Sequence, residues 1–274
     1  MPKLIEDARH RASAPSHDGE GASPRPTEPP RARCRARAKT LLTILAALVL
    51  APLTVVVGMG IPGNGYYLSG TLIVLYAIVP FFVAFEGRRP TAREIAVVAV
   101  LTALAVAARA AFVWVPHFKP MAAIIMIAGI AAGPQTGFLV GSVAALASNF
   151  IFGQGPWTPW QMLAFGVVGL VAGLLADARV FPRANLSWQR RVALAVAGFV
   201  LIVGLAGPIL DTSTFFYLST APTPELAATV YLAGLPVNAI HGAATALTLL
   251  VVANPLLDQL ARVRVKYGLL NRSR

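Results

Sequence analysis

Charged residues and cysteine are both scarce in this chain, and each shortage excludes a class of protein. Only 12% of the 274 residues are charged while 57% are hydrophobic, a balance that excludes an ordinary soluble domain. The single cysteine, Cys34, excludes a disulfide framework and a cysteine metal site within the chain. Composition therefore predicts an all-α polytopic membrane protein.

Several catalytic motifs are missing as well. The sequence has no G-x-x-x-x-G-K-[ST] phosphate loop, no H-E-x-x-H zinc motif and no G-x-S-x-G nucleophile elbow. No acidic pair, such as proton-driven carriers typically use, lies within a predicted span. We therefore expect a chain that is not an enzyme and needs no cofactor. If it moves a solute, another protein supplies the energy.

Positive charge is in excess, with a net charge of +12, and apart from Arg109 and Lys119 it is confined to the two termini and two short loops. This placement is typical of the cytoplasmic side of a membrane protein rather than of a nucleic-acid-binding face. We predict a disordered basic cytoplasmic tail at 1–39, two extra transmembrane helices at 40–86, a six-helix core at 93–254 and a basic cytoplasmic tail at 255–274.

Eight apolar runs follow the first tail. They are 41–59, 67–85, 95–115, 121–133, 137–152, 162–175, 192–210 and 226–252. The fourth run is short enough to be a re-entrant segment. If it did not cross, the loop 177–191 and the C-terminal basic cluster would lie outside, against the positive-inside rule. We therefore predict eight transmembrane helices in the cell membrane, with both termini in the cytoplasm.

The stretch from Asn149 to Met162 interrupts the apolar pattern with amides, aromatic rings, glycines and prolines. Glycine and proline end both flanking helices, and tryptophan suits a membrane–water boundary. The stretch is either an interfacial anchor or a ligand-binding loop. Amides at membrane depth need polar partners, which favours binding. In the eight-span topology this stretch faces outward with 116–120 and 211–225, which predicts an outward-facing pocket.

Other polar residues are candidates for this pocket, and each also has a structural interpretation. Arg109 is costly to bury within a span, so it either extends to the interface or pairs with a polar group or the ligand. Lys119, alone in an outer turn, would contact an anionic or amide-bearing solute or a lipid headgroup. Asn238 and His241 lie close to one helical face and would equally form interhelical hydrogen bonds.

Small residues recur every four positions along the third span. Because this spacing stacks side chains on one helix face, the stripe would let another helix approach closely. That helix belongs either to this chain or to a partner protein. The stripe consists of Ala99, Ala103, Ala107 and Ala111, and the pairs Gly137/Gly141 and Gly169/Gly173 have the same spacing.

Four features of residues 93–252 occur together: the alanine stripe, Phe118-Lys119-Pro120, the run from Gly137 to Asn149-Phe150, and Phe152-Gly-Gln-Gly-Pro-Trp-Thr-Pro-Trp-Gln-Met162. In combination they resemble the substrate-binding S component of an energy-coupling factor (ECF) transporter, the vitamin-uptake class of ABC importers. The last run is similar to the branch that includes cobalamin-specific S components. The tail and the two extra helices depart from the usual six-helix block.

The resemblance implies a membrane-embedded protein that captures a vitamin or related micronutrient, with cobalamin as our first expectation, on the outer side. It would dock through Ala99, Ala103 and Ala107 onto a transmembrane coupling protein driven by two ATPase subunits. The candidate substrate-binding residues are Arg109, Phe118, Lys119, Asn149, Gln154, Trp157, Trp160, Gln161, Asn238 and His241.

Two other functions stay open. A membrane enzyme acting on a lipid or isoprenoid would need acidic or histidine clusters near one face, and only Asp211 and Glu225 are predicted outside. In a ligand-free structural subunit, substitution of Trp157 or Gln154 would change nothing except folding.

Overall fold

The computed structural model describes residues 92–218 and 223–267, together with isolated positions between 49 and 76. The predicted tail 1–39, Cys34 and most of the two extra predicted helices lie outside the described residues. Every regular element in the described part is helical, which confirms the all-helical class. Among the isolated positions, the side-chain oxygens of Thr54 and Tyr76 lie 3.0 Å apart, so residues of the two extra predicted spans contact each other.

The described core is a bundle of seven helices, two of which follow one another without a break. A π-helical turn, Ile202–Ala206, joins α5 to α6 in one continuous helical segment. Such turns break the regular hydrogen-bond ladder and are frequent at functional sites. The helices are α1 (Ala92–Ala111), α2 (Met121–Ala132), α3 (Pro134–Phe152), α4 (Thr158–Asp177), α5 (Trp188–Leu201), α6 (Gly207–Leu218) and α7 (Pro224–Tyr267).

Helix α2 forms the centre of the bundle. All 12 of its residues are buried, and none carries a polar side chain. It contacts α1, α3, α4 and α7. A helix that is apolar all round is typical of such a buried position. With 12 residues, α2 is ~18 Å long, which is shorter than the ~30 Å hydrocarbon core of a bilayer.

Glycines bring α3 and α4 into backbone contact. A Cβ added at Gly137 would overlap the carbonyl oxygen of Gly169, and one added at Gly141 would overlap the carbonyl oxygen of Phe165. Gly129 of α2 faces Gly169 as well. Gly137, Gly141 and Gly169 therefore make contacts within this chain, one of the two alternatives that their spacing allowed. Together with Gly129 they let three helices approach closely, as small residues do in membrane proteins.

One end of the bundle carries most of the described basic residues. The loop between α4 and α5 is fixed there against α7, because Asn254 Nδ2 donates to the Leu186 carbonyl at 2.9 Å and Asn254 Oδ1 accepts from the Leu186 N–H at 3.1 Å. We call this the basic end. Its basic residues are Arg179, Arg183, Arg190, Arg191, Arg262, Arg264 and Lys266.

The helix bounds differ from two predicted ones. Helix α7 continues through Pro255 to Tyr267, whereas the last span was predicted to end at 252. The outer loop predicted at 211–225 is shorter, because α6 continues to Leu218. Asp211 therefore lies within a helix, where its Oδ2 accepts a 2.7 Å hydrogen bond from Asn238 Nδ2. The hydrogen bond from Asn238 offsets part of the free-energy cost of placing the Asp211 carboxyl group within the helical bundle.

The predicted count of eight crossings is not confirmed. By length and composition, five described segments are able to cross a membrane: Glu94–Ala111, Pro134–Phe152, Thr158–Asp177, Trp188–Leu218 and Pro224–Lys266. The run predicted at 121–133 corresponds to the short helix α2, which its neighbours shield from lipid. The first two predicted spans lie mostly outside the described residues.

Candidate functional site

The opposite end of the bundle, which we call the polar end, is formed by the C-terminal ends of α1 and α3, the N-terminal ends of α2 and α4, and the loops 112–120 and 153–157. Most of the predicted binding residues lie there. Antiparallel packing of α3 against α4 places residues near 149 beside residues near 160, which joins the two ends of the predicted loop.

Arg109 at the end of α1 pairs with α3. Its Nη1 donates to Ser148 Oγ at 2.5 Å and to Asn149 Oδ1 at 3.0 Å. The guanidinium carbon lies 4.6 Å from the centre of the Phe152 ring, which is within cation–π range. Ser148 Oγ in turn donates to the Ala145 carbonyl at 3.0 Å. The arginine is therefore bound by neutral groups and an aromatic ring.

Asn149 is the centre of an amide–hydroxyl network. It is 1% exposed, and its Nδ2 donates to Thr158 Oγ1 at 2.9 Å and to Gln161 Oε1 at 2.8 Å. Thr158 Oγ1 donates to Gln154 Oε1 at 2.9 Å. Since a guanidinium can only donate, the Asn149 oxygen must face Arg109 and its NH₂ group must face α4. The orientation of the buried amide is therefore determined by its partners.

A glycine, two short-range hydrogen bonds and a proline make the loop between α3 and α4 fold back over α3. Gly153 ends α3 at φ +103°, a conformation that side chains with a Cβ rarely adopt. Gln154 Nε2 donates to the Leu146 carbonyl at 3.2 Å, and the Gly155 N–H donates to Thr158 Oγ1 at 3.3 Å. A proline in the first turn of α4 removes an N–H that would have had no helical partner.

The aromatic residues of the stretch occupy two environments. Trp160 is 2% exposed and stacks on Phe216 of α6 at 6.1 Å, and its Nε1 has no hydrogen-bond partner among the described residues. Trp157 is 38% exposed and lies edge-on to Tyr217 at 6.4 Å. Phe118, in the other loop, packs on Phe112 at 5.0 Å. Trp157 therefore lies at the surface, whereas Trp160 belongs to the core.

Lys119 and His241 approach the same region from the loop before α2 and from α7. Lys119 is half-buried, and this burial, followed by the nearby charge of Arg109, lowers the pKa of Lys119. His241 is 7% exposed, and its ring lies 5.7 Å from that of Phe165 on α4. Its Nε2 is buried without a hydrogen-bond partner in the described part of the chain.

Asn238 does not join these residues. Although it lies three residues before His241 on α7, its amide donates to Asp211 on α6. Asn238 therefore makes an interhelical hydrogen bond, the structural alternative that its sequence pattern left open.

Sequence reasoning missed four residues of the site: Ser148, Phe152, Thr158 and Phe165. Ser148 and Thr158 complete the hydrogen-bonding network, and Phe152 and Phe165 pack on Arg109 and His241. The proximity of Ser148 and Thr158 to predicted amides was an available signal. No pattern within the sequence marked Phe165.

The alanine stripe of α1 faces away from the bundle. Ala99, Ala103 and Ala107 are exposed, whereas Leu101 and Ala105 on the other face are buried. No described helix covers the stripe.

Within the described residues there is also no group of three or more His, Cys, Asp or Glu side chains suited to hold a metal ion.

A family model described as the S component of an ECF-type riboflavin transporter matches residues 90–262. The chain belongs to the ECF transporter S-component family. The match covers all seven helices of the described part except the last few residues of α7, and it excludes the N-terminal tail and the two extra predicted helices. The predicted resemblance is confirmed at this level, and so is the expectation that the chain is not an enzyme. The narrower cobalamin branch stays a prediction.

Curated relatives of this S-component family member are named only as UPF0397 proteins. One from Vibrio atlanticus is 31% identical over 104 residues, which are 37% of this chain and 53% of the relative. One from Aliivibrio salmonicida is 30% identical over 107 residues, which are 37% of this chain and 53% of the relative. One from Clostridium perfringens is 25% identical over 55% of this chain and 76% of its own. The chain thus spans about half the length of the first two relatives, and no solved structure matches it.

Proposed function

We propose that this protein is the substrate-binding subunit of an ECF-type importer and captures a vitamin-type small molecule at the polar end of its bundle. The main support for the proposal is the network of Arg109, Asn149, Thr158 and Gln161, which concentrates hydrogen-bonding groups at one end of a largely apolar bundle. Polar groups at membrane depth are costly unless paired, so they typically mark a solute site or pathway. Family membership supports the same function.

The distribution of charge supports an orientation. Loops rich in arginine and lysine tend to stay in the cytoplasm, which supports a cytoplasmic position for the basic end. The polar end, on the opposite side of the bundle, would then face outward and receive the solute from outside. Both termini would be cytoplasmic.

The exposed stripe of α1 supports a partner. Three small side chains spaced by four residues provide a smooth surface on which another transmembrane helix can pack. The chain lacks a phosphate loop, so it cannot supply energy from ATP. We propose that the stripe docks on a transmembrane coupling protein that two ATPase subunits drive.

Two ligands are the first to test. Riboflavin is named in the description of the matching family. Cobalamin follows from the resemblance of the 152–162 stretch. Both carry ring systems that the aromatic residues near the site, Phe118 and Trp157, suit.

The test is a binding titration. The full chain, purified in mild detergent, is titrated with riboflavin and cobalamin by calorimetry, and co-purified ligand is identified by mass spectrometry. We expect one-to-one binding that Asn149→Leu abolishes, since this change removes the central amide. Asn254→Leu is the matched control, because it removes an amide that bonds only at the basic end. Absence of binding from folded protein, across a panel extended to other vitamins, would argue for a ligand-free subunit.

A further inference from the structure

Positive charge at the polar end has no acidic partner in the described part of the chain. Arg109 bonds to the neutral residues Ser148 and Asn149. The described salt bridge, Arg183 with Asp177, lies at the basic end. Asp211 is engaged by Asn238. The site therefore carries a net positive charge in surroundings that are partly withdrawn from water.

The guanidinium of Arg109 keeps one edge open. The two hydrogens of Nη1 are used by Ser148 and Asn149, and Phe152 covers a face of the group. The donors on Nε and Nη2 have no hydrogen bond to any described residue. This edge presents two parallel N–H groups, the geometry that binds a carboxylate or phosphate in bidentate fashion.

Two further groups, Lys119 and His241, lie in the same region of the polar end. His241 is within electrostatic range of both Arg109 and Lys119 and close to the main chain of Lys119. Its Nε2 is buried without a described partner, which is costly unless a ligand completes the hydrogen bond. Lys119 also lacks a described anion to compensate its charge. Its partial burial and the nearby charge of Arg109 lower the pKa of its ammonium group.

We infer that the substrate carries a carboxylate or phosphate group, which the open edge of Arg109 binds in the same region as Lys119 and His241. The inference rests on the proposed function and specifies the substrate class of that site. An anion bound there would replace part of the lost hydration of the two cations, and it would accept a hydrogen bond from His241 Nε2 in the tautomer that carries the proton on that nitrogen.

The experiment compares ligands that differ in charge. The full chain in mild detergent is titrated by calorimetry with thiamin, riboflavin, riboflavin 5′-phosphate, biotin, pantothenate and cobalamin, which contains a phosphodiester. We expect the tightest ligand to carry a carboxylate or phosphate. Within the flavin pair, which shares one ring system, we expect the phosphate form to bind more tightly. Raising the salt concentration should weaken this binding.

Variants separate the charge from the fold. Arg109→Gln should weaken the anionic ligand about ten- to hundredfold, the range for losing a charge-assisted hydrogen-bonded pair. Arg109→Lys retains the charge but loses the bidentate edge, so its affinity for the anionic ligand should be intermediate. If the glutamine variant does not fold, the affinity of this lysine variant tests the inference in its place. Arg191→Gln, which removes a half-buried guanidinium at the basic end, should leave affinity unchanged.

Two results would overturn the inference, and they differ. If the tightest ligand is neutral or cationic and Arg109→Gln binds it as well as the wild type does, the substrate class is wrong while the proposed function stands. If folded protein binds no member of the panel, the proposed function fails and the inference fails with it.

Discussion

Arg109 Nη1 lies 3.0 Å from Asn149 Oδ1, although the two residues are 40 positions apart in the sequence. The contact joins α1, which carries the alanine stripe, to the amide network of α3 and α4. Substrate binding and partner docking would therefore involve opposite faces of the same helix.

The Thr158 hydroxyl couples the loop to Asn149. In Thr158→Val the side chain keeps its shape but loses its bonds to Asn149, Gln154 and Gly155. We expect the unfolding free energy to fall by ~1–3 kcal/mol and the vitamin ligand to bind more weakly. Thermal unfolding in detergent and calorimetry measure the two effects. Thr248→Val is the control, because that hydroxyl bonds only to the Ala244 carbonyl of its own helix; equal effects of both changes would contradict the role of Thr158.

Backbone contact between α3 and α4 should make Gly169 intolerant of substitution. A methyl group in Gly169→Ala would overlap the Gly137 carbonyl, so the helices must separate. We expect a loss of ~1–3 kcal/mol or more in unfolding free energy. In the control Gly204→Ala, the added methyl has nothing within 4 Å, and stability should change little. Similar melting temperatures for the two variants would show that the helices do not pack as described.

A bulky side chain on the alanine stripe should block docking without affecting the substrate site. Ala103 is exposed, and Ala103→Trp would hold a partner helix away from α1. We expect loss of co-purification with the coupling protein and ATPase subunits, and unchanged substrate affinity. The exposed residue Val196 on α5 provides the control Val196→Trp, which should keep the complex. Unaltered co-purification of the Ala103 variant would remove the docking proposal.

Lys119 should lower the stability of the unliganded protein near neutral pH. Burial and Arg109 lower its pKa in the folded state below the usual 10.5, so the folded protein releases this proton before the unfolded chain does. The destabilisation is fully present below the folded-state pKa and decreases as the pH rises toward 10.5. We expect Lys119→Met to raise the melting temperature most at neutral pH.

The measurement is the difference in melting temperature between Lys119→Met and the wild type, followed from pH 7 upward in the absence of ligand. The difference should decrease with rising pH. A difference that stays constant, or one that increases, would exclude the effect of Lys119 burial. The same substitution should weaken an anionic ligand, so the gain in stability would accompany a loss of binding.

The sequence indicated which polar residues would meet only where the signal is local. The stretch from Asn149 to Gln161 stood out because amides, glycines and prolines interrupt apolar runs, and the structure brings Asn149, Gln154 and Gln161 into one network. The sequence did not distinguish Trp157 from Trp160, because both lie in the same short stretch and both suit a membrane–water boundary. Their difference in exposure arises from α6, which covers Trp160 with Phe216 and leaves Trp157 at the surface.

The sequence by itself determined the membrane class, the helical content, the small-residue stripe and the concentration of basic charge, because hydropathy, helical periodicity and charge are properties of neighbouring residues. Only the tertiary structure decided which polar groups meet. Asn238 and His241 share a helix and nearly a face, yet one bonds to Asp211 and the other packs on Phe165 near Lys119. Those partners come from different helices, and packing around α2, not spacing along the chain, determines which helix each residue faces.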